Sequence, residues 1–248
     1  MEQKYAVPAL ERTHILLATL KDEPYKLKLS DLSKRLSISK STLYYMLLTL
    51  ERLQWVSRDR NETYAIGSAL GEFGNAYFKQ YDLVGEFQRL GEAVMTKLQE
   101  SVQLAKLDGS DVLYLAKIAA PSPVQMVSGP GARFPAHTTG LGKALLAFEA
   151  EDELRRLYPE DRLEPRTAFT IDSRTKLFDA LRQIRTDGVA FDEQEGVMGF
   201  CCVAAPVFGR DGAVAAAVSC SMPMHHWEIK KATAAEEIRA LAKRLSEN

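Results

Sequence analysis

The chain has 248 residues, of which 46% are hydrophobic and 26% are charged, and its formal net charge is −1. These proportions are typical of a globular protein with one large domain or two of ordinary size. The sequence contains no apolar run of about 18 residues, which a membrane span requires, and no signal peptide after Met1. Three cysteines are too few for a disulfide framework. We therefore predict a cytoplasmic protein.

The net charge conceals an asymmetry along the chain. Residues 1–67 contain eleven basic and eight acidic residues, a net charge of +3, whereas the remaining 21 basic and 25 acidic residues give −4. A mildly basic front end on an acidic body is typical of a nucleic-acid-binding head joined to a different module.

Two helices and a turn are predicted before residue 40. The first helix runs from about Pro8 to Lys21, because proline suits a first helical turn and apolar residues follow at helical spacing. The second begins with Ser30 as its N-cap and places Leu32 and Leu36 on one face. The three residues 37–39 form the turn to a third helix, which completes a helix-turn-helix pattern.

The third helix extends from Lys40 to Leu53 and has Ser39 as its N-cap. Its apolar stripe, predicted to be buried, comprises Leu43, Met46, Leu47, Leu50 and Leu53. The opposite face carries hydroxyl, tyrosine and basic side chains, which can hydrogen-bond to base edges and phosphates in a major groove. The residues predicted to contact DNA on this helix are Ser39, Lys40, Ser41, Thr42, Tyr44 and Tyr45.

A β-hairpin is predicted directly after the third helix. The apolar pattern changes to a period of two between Val56 and Ile66, with a turn at 59–61. Alone, this hairpin would be an ordinary surface turn, but after a helix-turn-helix it forms the wing of a winged helix. Arg58 and Arg60 lie near its tip and are predicted to contact phosphate or the minor groove. Residues 1–67 are therefore predicted to be a winged helix-turn-helix domain that binds double-stranded DNA.

Residues 68–82 predict a connecting helix, and residues 83–248 a second domain in which helices and strands alternate. Hairpin turns are predicted at Asp108-Gly109 and at Gly209–Gly212. The predicted strands are 102–107, 112–118, 124–128, 202–208 and 213–221. The predicted helices are 84–100, 140–150, 152–158, 174–187 and 228–245.

Three separated segments resemble the IclR-type family of transcriptional regulators. They are Ser39–Thr42, Pro135–Ala147 and the region from Gly188 to Pro223. The second segment contains Thr139-Gly140-Leu141-Gly142-Lys143. They occur in the family's order over nearly the whole chain. The resemblance implies an α+β protein of two domains, a winged helix-turn-helix and a C-terminal α/β effector domain with a GAF-like antiparallel sheet and flanking helices. It also implies a homodimer or homotetramer, and two-fold symmetry would require a palindromic operator.

The resemblance further implies that a small organic acid, bound in the C-terminal domain, controls DNA affinity. The chemistry of the implied positions agrees, because Ser219 and Ser221 are two apart on a strand and point to one face. Gly140 and Leu141 open a helix, where free N–H groups favour an anion. The implied effector-binding residues are Met126, Gly140, Leu141, Asp192, Phe200, Cys202, Ser219 and Ser221.

Asp192 is the exception among these positions, since no Lys or Arg accompanies it and a carboxylate would repel an anionic ligand. That repulsion is avoided if Asp192 accepts a hydrogen bond from a ligand hydroxyl or shares a proton. We therefore expect an effector that bears a carboxylate and a hydroxyl or keto group.

One residue departs from the family pattern. The family usually has Arg or Lys at the position of Tyr45 in the reading helix. A tyrosine still donates to phosphate, but a charge-assisted hydrogen bond is lost. We therefore expect Tyr45 to affect which operator sequence is preferred, and not whether the domain binds DNA.

The sequence also contains residues that a zinc site or a hydrolase could use. The adjacent pairs Cys201-Cys202 and His225-His226 lack the spacing of structural zinc sites, so no metal is predicted. A hydrolase with Cys202 or Ser219 as nucleophile would need His137 as its base, and His137 is predicted to be structural instead. No catalytic residue and no cofactor are predicted. The alternatives are such an enzyme with an appended DNA-binding head and a metabolite sensor that acts on a protein partner.

Overall fold

The structure is a computed structural model that describes residues 7–79, 82–122 and 128–247. The chain divides into two units, Met1–Gln80 and Tyr81–Asn248. Each has secondary structure and a hydrophobic core of its own, and together they confirm the predicted two-domain α+β class. Within the described ranges, none of the helices combines the length and apolar character needed to cross a membrane.

Over residues 7–79, the first unit contains four helices and a two-stranded hairpin. The helices are α1 (Pro8–Asp22), α2 (Leu29–Leu36), α3 (Lys40–Arg52) and α4 (Ser68–Lys79), and the antiparallel strands are β1 (Val56–Arg58) and β2 (Tyr64–Ile66). The core between α1, α2, α3 and the hairpin comprises Leu16, Leu20, Leu32, Ile38, Leu43, Leu47, Leu50, Val56 and Tyr64.

Two local expectations in this unit are wrong. The N-cap of α2 is Lys28 rather than Ser30, because Lys28 forms a β-bridge with Thr63 and its backbone N–H donates to the Asp31 carboxylate at 3.0 Å. Leu53 is the C-cap of α3 and is 42% exposed, so the buried stripe ends at Leu50. The predicted N-cap of α3 is confirmed, since the Ser39 hydroxyl accepts from the backbone N–H of Thr42.

The second unit is built on a six-stranded antiparallel sheet with the order β5-β4-β3-β8-β7-β6. Its strands are β3 (Ser101–Asp108), β4 (Asp111–Ile118), β5 (Arg133–Pro135), β6 (Ala190–Glu193), β7 (Phe200–Phe208) and β8 (Val214–Pro223). The helices are α5 (Asp82–Leu98), α6 (Gly140–Leu146), α7 (Glu151–Leu157), α8 (Arg174–Asp187) and α9 (Met224–Ser246), with a short 3-10 turn at Ala136–Thr138.

Side-chain alternation along the strands creates two faces of this sheet. Helices α5 and α9 pack on one face, where Cys201 contacts Met224 of α9. Helices α6 and α8 cover the other, whose core includes Ala105, Ala204 and Ala217 from three neighbouring strands. Small residues on this face allow α6 to approach the sheet closely.

Some predicted boundaries in this unit differ from the structure. Helix α6 ends at Leu146 instead of continuing to residue 150, and the Arg185 guanidinium donates to the free carbonyls of Ala147 and Glu149 beyond its end. Strands β5 and β6 were not predicted, because segments of three and four residues carry too little periodicity. Most of the strand expected at 124–128 lies outside the described residues, and Ser128 is not in a strand.

Gly142 provides a test of the close packing of α6. A Cβ at this position would overlap the backbone carbonyl of Ala136, whereas a Cβ at Gly71, inside α4, would meet nothing within 4 Å. Gly142→Ala should therefore reduce the free energy of unfolding by about 3 kcal/mol through overpacking. The matched control Gly71→Ala should raise it by about 0.5–1 kcal/mol through helix propensity.

Urea denaturation followed by circular dichroism measures both changes. A Gly142→Ala protein as stable as the unaltered chain would contradict the close approach of α6 to the 3-10 turn.

Candidate functional site

The N-terminus of α3 presents a cluster of exposed hydroxyl groups. The Ser39 hydroxyl donates to Thr42 Oγ1 at 2.9 Å and lies 3.2 Å from the Ser41 hydroxyl. Lys40 is also exposed, and within the described part of the chain it forms no ion pair. These short side chains are oriented by one another, so the start of α3 offers several donors together with one unneutralised positive charge.

Two tyrosines continue this exposed face of α3. Tyr44 is 46% exposed and Tyr45 is 69% exposed, and their rings meet edge to face with centroids 5.6 Å apart. Both aromatic rings therefore lie beside the hydroxyl cluster and in contact with solvent. Leu48, one turn further along, is 42% exposed.

The turn of the wing is organised by one carboxylate. Asp59 accepts hydrogen bonds from the backbone N–H groups of Asn61 and Thr63 and from the Thr63 hydroxyl. The hydrogen bond from the Thr63 N–H is the main reason that the pKa of Asp59 is lowered. A fixed turn results, with a defined direction for the side chains near its tip.

The two arginines of the wing differ in their surroundings. Arg58 forms an ion pair with Glu62 at 2.6 Å and lies over the Tyr64 ring. Arg60 is exposed and has no ion pair with any residue that the structure describes. Arg60 is therefore the more available cation, whereas Arg58 must exchange Glu62 for any external anion.

The second unit contains a buried cavity between α6 and one face of the sheet. It encloses about 20 Å³, which is room for a single water molecule. Six of the eight predicted effector-binding residues line it: Gly140, Leu141, Asp192, Phe200, Cys202 and Ser219. Met126 lies outside the described residues, and Ser221 is adjacent to the cavity without lining it.

Strand register explains why these residues converge. Asp192 on β6 pairs with Cys202 on β7, which pairs in turn with Ser221 on β8. Ser219 pairs with Gln103 on β3. Residues paired across neighbouring strands point to the same face, so this register places the polar side chains of four strands under α6.

The two serines share one partner that the sequence analysis did not include. Gln103 is 1% exposed; its amide N–H donates to the Ser221 hydroxyl at 2.6 Å, and its carbonyl accepts from Ser219 at 2.9 Å. Both hydroxyls are therefore already hydrogen-bonded within the protein. Gln103 lies between Val102 and Leu104 on β3, a pattern that predicts a solvent-facing side chain, so the sequence carried no signal for its burial.

Tyr114 is a further cavity residue that the sequence analysis missed. It is 4% exposed, and within the described part of the chain its hydroxyl has no hydrogen-bond partner. Burial raises the pKa of this phenol, so it remains a neutral donor. The other lining residues without a sequence signal are Phe134, Thr139, Gly196 and Val197.

Asp192 is the acidic group of the cavity and is 4% exposed. Its Oδ1 accepts from the backbone N–H groups of Glu195 at 2.6 Å and Gly196 at 3.4 Å. Burial, together with the nearby charge of Glu195, raises the pKa of Asp192 to about 7. At neutral pH a large fraction of this carboxyl is therefore protonated and able to donate a hydrogen bond.

A buried ion pair lies behind Asp192. Lys143 of α6 donates to Glu195 Oε1, and both side chains are almost completely enclosed. The carbonyl of Glu195 accepts from Thr170 at 2.6 Å, which ties this turn to the 165–171 segment. The charge of Lys143 is thus matched by Glu195 rather than directed into the cavity.

Of the residues considered for a hydrolase, Cys202 and Ser219 line the cavity, whereas His137 does not. His137 Nε2 is 3.0 Å from the Glu164 carbonyl, and His137 lines a different, open cleft. Burial raises the pKa of the Cys202 thiol well above its usual range. His226 pairs with Glu100, which also binds Lys230. Within the described ranges, no group of three or more His, Cys, Asp or Glu could hold a metal ion.

Comparisons with known proteins identify both units. Residues 9–60 match the family described as IclR helix-turn-helix domain, and residues 75–247 match Bacterial transcriptional regulator IclR C-terminal. The chain is similar to the HTH-type transcriptional regulator KdgR of Escherichia coli K12, with 32% identity over 202 residues that cover 81% of this chain and 77% of KdgR.

Solved structures share the fold over most of the chain. A transcriptional regulator from Rhodococcus sp. RHA1 superposes with a TM-score of 0.86 at 27% identity over 98% of both chains. An IclR homologue from Microbacterium hydrocarbonoxydans, in complex with 4-hydroxybenzoate, has the same fold, with a TM-score of 0.83 and 20% identity over 96% of this chain and 98% of that one. The chain belongs to the IclR family of DNA-binding transcriptional regulators.

Proposed function

We propose that this regulator contacts duplex DNA with the N-terminus of α3 and the β1–β2 wing, and that its DNA affinity is set by a small carboxylic acid with a hydroxyl or keto group. The acid binds in the cavity beneath α6. The observation that carries the proposal is the convergence of six sequence-predicted positions on one buried cavity, where the Tyr114 hydroxyl has no hydrogen-bond partner among the described residues.

The proposed DNA face consists of residues that are exposed and chemically suited to a groove. Lys40 and Arg60 supply the unneutralised charges, and the hydroxyl cluster from Ser39 to Thr42 supplies donors to phosphates and base edges. Tyr44 and Tyr45 extend this face along α3. Arg58 contributes a phosphate contact after leaving Glu62. Two such heads in a homodimer or homotetramer would bind a palindromic operator.

The proposed effector chemistry follows from the neutral character of the cavity. No Lys or Arg is among its described lining residues. A carboxylate would be held by the backbone N–H groups of Gly140 and Leu141 and by protonated Asp192. The hydroxyl of Tyr114 remains for a second polar group on the ligand, because leaving a buried donor unpaired is costly.

Two further observations bear on the class of ligand. The related protein from Microbacterium hydrocarbonoxydans was crystallised with 4-hydroxybenzoate, an acid that carries a hydroxyl group. The enclosed volume of about 20 Å³ is too small for such a molecule, so binding requires the partly exposed side chains of Phe134, Val197 and Phe200 to move outward.

The hydrolase alternative lacks comparable support. Burial keeps the Cys202 thiol protonated, and a thiol is a much weaker nucleophile than a thiolate. His137 contacts the Glu164 carbonyl and does not line the cavity. Neither residue is therefore placed for nucleophilic catalysis.

The DNA face can be tested through the salt dependence of binding. Lys40→Gln and Arg60→Gln should each weaken binding to a random-sequence duplex and lower the salt slope by about 0.9, the contribution of one neutralised phosphate. Lys21→Gln is the matched control, because Lys21 is exposed on α1 and lies beside Asp22. Fluorescence anisotropy over a salt series measures the slope.

A slope that neither variant changes would contradict the assignment of these residues. Salt-insensitive binding by the unaltered protein would contradict electrostatic contact with DNA and favour the protein-partner alternative.

The effector site can be tested with paired acids. We expect 4-hydroxybenzoate or lactate to bind more tightly than benzoate or propionate, and Tyr114→Phe to weaken only the hydroxylated acids, by about tenfold for one hydrogen bond. Tyr158→Phe is the matched control, since Tyr158 is also a buried tyrosine but lies outside this cavity. Isothermal titration calorimetry gives each Kd.

Two outcomes would contradict this part of the proposal. Equal affinity for hydroxylated and plain acids, unchanged in Tyr114→Phe, would rule out the second polar contact. Binding that leaves DNA affinity unchanged would exclude the acid as an effector, because coupling between two ligands is reciprocal.

A further inference from the structure

Three buried charged side chains form a cluster in which Asp192 lines the cavity and Lys143 and Glu195 lie behind it. Lys143 and Glu195 form an ion pair with side-chain exposures of 5% and 11%, and Asp192 is 4% exposed. Two acids therefore share one base in a region with almost no solvent contact. If all three are ionised, the cluster has a net charge of −1 before any ligand enters.

Hydrogen bonding in this cluster is incomplete. Asp192 Oδ1 is satisfied by the N–H groups of Glu195 and Gly196. Glu195 Oε1 is satisfied by Lys143, but its Oε2 is buried and has no hydrogen-bond partner among the described residues. A buried acceptor without a donor is costly, so the cluster favours the addition of a proton.

The neighbours of Asp192 provide no second positive charge. On β6 and the following turn it has Glu193 and Glu195, and Glu193 pairs with Lys231. The ionisable groups facing it from the other elements are Lys143 of α6, Tyr114 of β4 and Cys202 of β7, while Cys201 of β7 is nearby on the opposite face of the sheet. Burial raises the pKa of the phenol and of both thiols, so all three stay neutral. Lys143 is the one cation of this set, and Glu195 matches it.

We propose that the cavity takes up one proton with each anionic ligand, that the proton is held on the Asp192–Glu195 pair, and that the Lys143–Glu195 ion pair positions Asp192 for this role. The inference rests on the proposed effector function. The ligand enters as a carboxylate, a proton from solvent forms an O–H bond on the Asp192 carboxyl, and that O–H donates to the ligand. Lys143 and Glu195 act through Asp192 and are positioning residues.

The pH dependence has a definite sign. In the free protein the Asp192 carboxyl has a pKa of about 7, and a bound anion raises this value further. Below about pH 6 the carboxyl is protonated before and after binding, so the affinity is constant. Above about pH 7 binding requires proton uptake, and the affinity should fall by up to about tenfold per pH unit. The effector response is therefore strongest at acidic pH.

Proton uptake can be measured directly by calorimetry. The probes are 4-hydroxybenzoate, lactate and pyruvate, each titrated into the full-length protein near pH 8 in phosphate and in Tris buffer, which differ greatly in ionisation enthalpy. A buffer-dependent heat corresponding to about 0.5–1 proton taken up per ligand is expected from the linkage. Near pH 5.5, in cacodylate and in MES, which buffer at that pH and differ in ionisation enthalpy, the two heats should be equal.

Two variants separate the mechanism from general effects of burial. Asp192→Asn is nearly isosteric, can accept the same backbone N–H groups, and presents a permanent donor, so its affinity should become independent of pH between about pH 6 and pH 8.5. Glu100→Gln is the control, since Glu100 is a buried carboxylate paired with Lys230 that does not line the cavity. It should retain the proton uptake and the pH dependence.

The outcomes distinguish this inference from the proposed function. Binding of a probe acid with a heat that is the same in both buffers near pH 8 would overturn the inference and leave the proposed function intact. Proton uptake that persists in Asp192→Asn would overturn the assignment to Asp192. Failure of all three acids to bind at either pH would contradict the proposed function and the inference together. The comparison of buffers uses the unaltered protein, so it remains decisive even if a variant does not fold.

Discussion

The close approach of α6 to the sheet is the constraint on which the candidate effector site depends. Gly142 lies so near the Ala136 carbonyl that no side chain fits between them, and a Cβ at Gly140 would already be within 3.5–3.7 Å of the Cβ atoms of Ala204, Cys202 and Asp192. A side chain at Gly142 would displace α6 from the 3-10 turn, whereas a Cβ at Gly140 would be in ordinary van der Waals contact with the strands. Because these residues are small, the start of α6 lies over the paired polar side chains of β6, β7 and β8. The cavity is the space between α6 and the sheet that the surrounding side chains leave unfilled.

Among the described polar groups in and around the cavity, none carries a positive charge that lacks an acidic partner. Lys143 enters the same region from α6 but is bound by Glu195, and Gln103 engages the two serine hydroxyls. Burial raises the pKa of Asp192 into the neutral range, so the one acidic lining group is itself a potential donor. A ligand anion would then be held by directed hydrogen bonds rather than by a free cation. This design lowers the desolvation penalty of an empty site, since an isolated buried charge costs far more than a hydrogen-bonded neutral group.

The sequence predicted the fold class, most helices and the longer strands because their periodic patterns extend over seven or more residues. Pattern and motif together also placed Gly140, Asp192, Cys202 and Ser219 in one site. What the sequence could not show depends on strand register and on groups distant in the chain. Gln103 precedes Ser221 by more than a hundred residues, and only the pairing of β3 with β8 brings them together. Strand β5 carries Phe134 into the cavity wall, yet its three residues have no periodicity to detect. The capping of α2 at Lys28 likewise depends on a bridge to Thr63 in the wing, which a helical pattern cannot reveal.

The proposed DNA face is charged and the cavity is neutral. The two surfaces would therefore select their ligands, duplex DNA and a small acid, in different ways. Duplex DNA presents the same phosphate charge at every sequence, so under the proposed function Lys40 and Arg60 would contribute affinity, while the hydroxyl and tyrosine groups beside Lys40 would distinguish base edges. A small acid is one of many cellular anions, and a free arginine in the cavity would bind most of them. In the proposed site, Tyr114, protonated Asp192 and backbone N–H groups would instead discriminate by the cost of leaving each group unpaired, which is larger than the gain from a correct contact. Under the proposed function, selectivity for the acid would arise because the cavity offers no free cation, since Glu195 pairs with Lys143.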